Sequence, residues 1–106
     1  MRIILTALTL AGLSATAASA ADAKAGQAVY NTSCKSCHGP DGGGNPSVAK
    51  MMKVEMKDLK SADVQALSDA DIKIIVTAGK GKMRPIAAVA GGALDNVVAY
   101  VRSLKN

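Results

Sequence analysis

Cys34-Lys35-Ser36-Cys37-His38 constrains this chain more than any other stretch. It is a C-x-x-C-H run that holds both cysteines and the single histidine of the 106 residues. On a helical turn these three side chains stand at i, i+3 and i+4 and face one side. Two thiols and an imidazole are thereby aimed at one object. The remaining sequence has few large fillers of its own. It has no Phe and no Trp, and its only aromatics are Tyr30 and Tyr100.

Ligand counting narrows what that object is. A structural zinc site takes four protein ligands, and two Cys and one His fall short. A thioredoxin-like C-x-x-C needs a strand–helix context, which the surrounding pattern does not offer. A plain disulfide leaves the adjoining histidine unexplained. C-x-x-C-H reads instead as the attachment site of one covalent haem c. Cys34 and Cys37 would each add to a vinyl group of the porphyrin as thioethers, and His38 would be the proximal axial ligand. Small scaffolds usually need a staple. A flat, largely apolar haem supplies that staple and the missing core volume together.

The beginning of the chain says where this chemistry takes place. Met1-Arg2 is followed by an apolar run over residues 3–13, then by small residues over 14–20 ending in Ala18-Ser19-Ala20. That is the order of a secretory signal peptide. The apolar run is too short to cross about 30 Å of hydrocarbon. The expected organisation is a signal peptide over 1–20, removed near Ala20, and one domain over 21–106. The expected location is the periplasm. No later stretch is long and apolar enough to span a membrane, so the mature form is expected to be a soluble monomer. The net charge of +5 falls to +4 when Arg2 leaves. This balance suits acidic protein partners, and secretion argues against nucleic acid.

A sixth iron ligand must come from elsewhere, and no second histidine exists. The candidates are Met51, Met52, Met56 and Met83. Methionine opposite histidine raises a haem potential. Met51, Met52 and Met56 read as core filler or pocket wall. Met83 sits in Gly79-Lys80-Gly81-Lys82-Met83-Arg84-Pro85, where polar neighbours make it an odd core residue. It is the favoured distal axial ligand.

The coarse pattern is all-α, with three to four helices, long loops and no convincing strand. Asp22 caps a helix over 23–34, in which Gly26 points to close approach of another helix. Residues 39–46 are a loop rich in breakers, and Asn45 with Pro46 opens a short helix. Ser68 caps a helix that Gly79 stops. Residues 80–92 read as loop. Leu94, Val97, Val98, Val101 and Leu104 define a final amphipathic helix over 94–104.

Three segments carry a family resemblance: A-G-Q-A-V-Y-N-T-S-C-K-S-C-H-G (25–39), G-K-G-K-M-R-P (79–85) and V-V-A-Y-V-R-S-L (97–104). In that order they resemble a class I c-type cytochrome, a small soluble monohaem cytochrome c. The resemblance implies the cytochrome c fold, wrapped around a covalently attached haem. Its first and last helices would cross near a right angle, with Gly26 and Tyr30 meeting Val97 and Tyr100. It also implies Met83 as sixth ligand, and a proline carbonyl, best matched by Pro46, accepting from His38. Members of this type commonly carry Pro directly after the ligand Met, whereas here Arg84 intervenes.

The function expected from these residues is electron transfer, not enzymatic catalysis. An iron with both axial positions filled by His38 and Met83 cycles between Fe(III) and Fe(II) with little rearrangement. Lys35, Lys80, Lys82 and Arg84 would form a basic collar that steers acidic redox partners. Two alternatives differ in kind. A labile Met83 would open the iron to a small gas or peroxide, although no distal His or acid–base pair supports such chemistry. The chain could also be a haem subunit docked to a larger oxidoreductase.

Overall fold

The structure, a computed structural model, describes residues 21–105. The signal segment expected over 1–20 lies outside them. Six helical segments follow one another: α1 (Ala23–Ser33), α2 (Lys35–His38), α3 (Pro46–Met52), α4 (Ala62–Gln65), α5 (Asp69–Ala78) and α6 (Gly91–Ser103). Two of the six, α2 and α4, are single turns of four residues. The other four are the longer helices the pattern predicts. Among the described residues the only β-type pairing is an isolated bridge between Lys80 and Met83.

Local sequence sets most helix starts. The Asp22 carboxylate accepts from the amides of Lys24 and Ala25 at 2.9 and 3.2 Å. Asn45 accepts from Ser47 and Val48, with Pro46 at the first helical position. Ser68 accepts from Asp71 at 3.1 Å. Each bond satisfies an amide that the helix itself leaves without a partner. Helix α6 begins at Gly91, three residues before the expected Leu94, and takes Gly91 and Gly92 out of the predicted loop. No side chain caps it. Its start is decided by packing of the Val97–Val101 face, which local signals could not reveal.

The crossing of α1 and α6 organises the molecule. A Cβ on Gly26 would lie 1.9 Å from the Asn96 carbonyl oxygen and 3.0 Å from the Tyr100 Cβ. Only glycine therefore permits the approach. Tyr30 is completely buried and Val97 is 1% exposed. The rings of Tyr30 and Tyr100 lie 5.1 Å apart at 55°, a tilted pair worth about 1 kcal/mol beyond its burial. Both aromatic residues of the chain are thus spent at this one crossing. Asn96 adds a clasp by accepting from the Asp22 amide at 2.9 Å.

Helices α4 and α5 are tied to α6 by polar side chains. Gln65 Nε2 donates to the carbonyls of Leu59 and Val101 at 2.8 and 2.9 Å. Arg102 donates to the Gln65 carbonyl at 2.8 Å, to the Leu67 carbonyl and to Asp69 at 2.9 Å. Lys73 pairs with Asp95. The buried cluster Tyr30, Val76, Val89, Val97 and Tyr100 is rimmed by partly buried Val29, Cys34, Leu59, Met83, Ile86, Leu94 and Leu104. That rim carries two of the predicted site residues, Cys34 and Met83.

Candidate haem site

Cys34 is the hinge between two helices. Its φ of −121° ends α1, and its carbonyl accepts from Cys37 at 3.2 Å and His38 at 2.9 Å to start α2. The predicted i, i+3, i+4 array is therefore present, confined to one turn. Neither cysteine is in a disulfide, and both are half-buried. Burial pushes the Cys34 thiol above its ordinary pKa, and the neighbouring Cys37 adds to the rise.

The turn is held from several sides. Gly39 follows His38 with φ 79°, a left-handed conformation that favours glycine. The His38 carbonyl accepts from the Gly44 amide at 2.7 Å, and the Cys37 carbonyl from the Asn45 amide at 2.9 Å. Asn45 Nδ2 reaches the Ser36 carbonyl at 3.0 Å. Asn45 thus caps α3 and grips α2 together, a second role its capping signal does not announce. The loop between them is anchored by the Leu59 amide on the Gly42 carbonyl at 2.9 Å and by Lys60 on Asp41 at 3.3 Å.

His38 is partly buried, and burial holds its pKa below the ordinary imidazole value. Its Nδ1 is buried without any hydrogen-bond partner. The expected acceptor, the Pro46 carbonyl, does not meet it. Pro46 occupies the first position of α3, where helix geometry turns its carbonyl toward residue 50. A neutral imidazole whose bonding capacity is not spent on the polypeptide, beside two free thiols on one turn, fits a thioether-tethered haem.

Met83 is held by its backbone. Its amide donates to the Lys80 carbonyl and its carbonyl accepts from the Lys80 amide, both at 3.0 Å. Gly81, at φ 57°, takes the first central position of this tight turn. Gly79 packs beneath it, where a Cβ would lie 2.6 Å from the Met83 carbonyl oxygen. Beyond Pro85, the Ile86 amide bonds the Val76 carbonyl of α5 at 2.8 Å. Arg84, the departure from the family pattern, is exposed and leaves these anchors in place.

A cleft of about 440 Å³ opens beside this loop. Met51, Met52 and Lys53 line one side, and Gly81, Lys82 and Arg84 the other. Cys34, Cys37 and His38 are not among its walls. Lys82 Nζ donates to the Met52 carbonyl at 2.5 Å, linking the two sides. Of the predicted collar, Lys82 and Arg84 line the cleft, whereas Lys35 and Lys80 are exposed away from its lining. Lys53 joins the cleft instead. Sequence reasoning missed it because its placement depends on a left-handed backbone at φ 53° after α3. Met51, read as filler or wall, lines the cleft at 76% exposure. Met56 packs against Gly44.

Residues 21–101 match the family described as cytochrome c oxidase, cbb3-type, subunit III. The chain belongs to this family of c-type cytochromes. A solved structure of the KustC0563 c-type cytochrome superposes with a TM-score of 0.64 at 26% identity. The match covers 76% of this chain and 98% of that one. No curated protein matches. The cytochrome carries a covalently bound haem c and works in electron transfer. Among its described residues no helix is long and apolar enough to cross a membrane.

Proposed function

We propose that this cytochrome is a soluble one-electron carrier whose iron is held between His38 and Met83, with Cys34 and Cys37 as the thioether links. The observation that carries the reading is the shared rim of the core. Cys34 from α1–α2 and Met83 from the loop after α5 pack against one buried cluster. When bound, the haem supplies a single electron by cycling between Fe(III) and Fe(II). The protein's own part is to keep both axial positions filled. Reciprocal Lys80–Met83 bonds hold the thioether's backbone, and the Cys34–His38 turn holds the imidazole. The ferric protein should display the weak far-red absorption of methionine–iron ligation, and Met83→Ala should abolish it. A band absent from the wild type, or surviving the substitution, refutes Met83.

Export follows from residues 1–20, with removal near Ala20 delivering a periplasmic monomer over 21–106. Its partners are redox proteins with acidic docking faces. Lys53, Lys82 and Arg84 surround exposed Met51 at the cleft, an apolar contact ringed by positive charge. Reduction by an acidic partner should slow as salt rises, and a flat response removes the steering idea.

The family description favours a second reading, a haem subunit docked to an oxidase. Co-purification with large membrane subunits from native material distinguishes it from a free carrier.

A further inference from the structure

We propose that Tyr30 is a positioning residue for the iron ligand: its hydroxyl holds the Gly39 carbonyl and thereby sets the orientation of His38. The proposal rests on His38 as axial ligand.

Four consecutive carbonyls, those of Ser36, Cys37, His38 and Gly39, each receive a donor from outside α2. Asn45 and Gly44 supply the first three from the adjoining loop, at 2.7 to 3.0 Å. The fourth donor differs in origin. Tyr30 Oη reaches the Gly39 carbonyl at 2.5 Å from the centre of α1. Tyr30 is completely buried, and its ring rests on Tyr100 of α6. One hydroxyl therefore connects the helix crossing to the residue that follows the iron ligand.

The connection is stiff at both ends. Gly39 is buried at φ 79°, and a Cβ on it would lie 3.0 Å from the Gly44 carbonyl oxygen. It has little room to shift. At the other end, burial pushes the Tyr30 phenol up to about 12, so it remains a neutral donor at any physiological pH. Without the hydroxyl, the buried Gly39 carbonyl keeps only the long bond from the Gly42 amide at 3.5 Å and turns toward that donor. That motion rotates the Gly39–Pro40 peptide plane, one residue beyond His38, and through the Gly39 backbone tilts the imidazole. The orientation of a ligating imidazole tunes the metal it holds.

His38 is the chain's single histidine, which makes the test specific. Untagged holoprotein labelled with nitrogen-15 histidine is compared as wild type, Tyr30→Phe and Tyr100→Phe. Hyperfine coupling between the iron and the labelled ring in the wild type establishes ligation, and its absence defeats that reading. Given the coupling, Tyr30→Phe should shift both the His38 hyperfine signals and the reduction potential. Tyr100→Phe, which alters the same crossing without reaching Gly39, should leave both near wild type. If Tyr30→Phe matches wild type, or the two variants move alike, the positioning role is overturned. If Tyr30→Phe yields no holoprotein, difluorotyrosine is incorporated in the Tyr100→Phe background, where Tyr30 is the sole tyrosine. The altered donor should again shift the His38 signals, and unchanged signals overturn the proposal.

Discussion

The α1–α6 crossing and the Met83 loop are built by opposite means. The crossing is held by buried side chains: Gly26 against Asn96, Tyr30 against Tyr100, and Val97 between them. The loop is held by backbone hydrogen bonds over glycines, with Lys80, Lys82 and Arg84 exposed around it. Side-chain packing resists deformation because a dense interior has nowhere to move. A hydrogen-bonded turn in solvent fixes local shape and can still open as a unit. The difference suits the division of labour proposed for them. One region keeps the proximal side rigid, and the other presents a ligand near the surface where partners arrive.

Substitutions rank the two regions. Gly26→Ala places a methyl into the Asn96 carbonyl and should cost about 3 kcal/mol or more. It should appear as a lower urea midpoint of the holoprotein. A loss below about 1 kcal/mol would mean the crossing yields, and the contrast would break.

Alkaline unfolding sharpens the rigid side. The Tyr30 pKa rises from its ordinary value of 10.0 to about 12 on folding, chiefly by burial. A raised pKa favours the protonated folded form. The stability it contributes is complete below about pH 10 and is lost as pH climbs through about 12. The loss amounts to roughly 2 to 3 kcal/mol. Urea titrations over this range should show that slope in the wild type and not in Tyr30→Phe.

The loop should respond more softly. Gly79→Ala forces a left-handed residue against the Met83 carbonyl and should cost about 2 kcal/mol. The far-red methionine–iron band should fade before the helices melt. Coincident loss of band and helix would make the loop part of the rigid scaffold. The smallest effect is expected for Lys82→Gln, which removes the bond to the Met52 carbonyl. Stability should change by no more than about 0.5 kcal/mol, and the rate of partner reduction should fall.

Legibility divides along the same line. Asp22, Asn45 and Ser68 were readable as caps because a cap acts within three residues. Gly79 was readable as a stop for the same reason. Gly26 stood out as a glycine inside a helix and Tyr30 through the family pattern, and the structure places them against Asn96 and Tyr100. The Pro46 carbonyl was misassigned to His38 because proximity in sequence says nothing of which way a helix's first carbonyl points. Gln65 and Arg102 gave no signal of their partners. Each bonds backbone carbonyls more than 30 residues away in one direction, and no local pattern encodes such a partner.

The C-x-x-C-H turn needs five residues and one helical turn, so the sequence alone determined that two thiols and an imidazole share a face. It also determined the helical class, since apolar spacing and caps are local properties. Only the tertiary structure decided that Cys34 and Met83 border one core, that Lys53 rather than Lys35 joins the cleft, and that Tyr30 reaches Gly39. Those facts depend on how closely α1 and α6 approach. That approach is fixed by the absence of one Cβ at Gly26 and the burial of two aromatic rings, a balance of packing that becomes visible only when the whole chain is assembled.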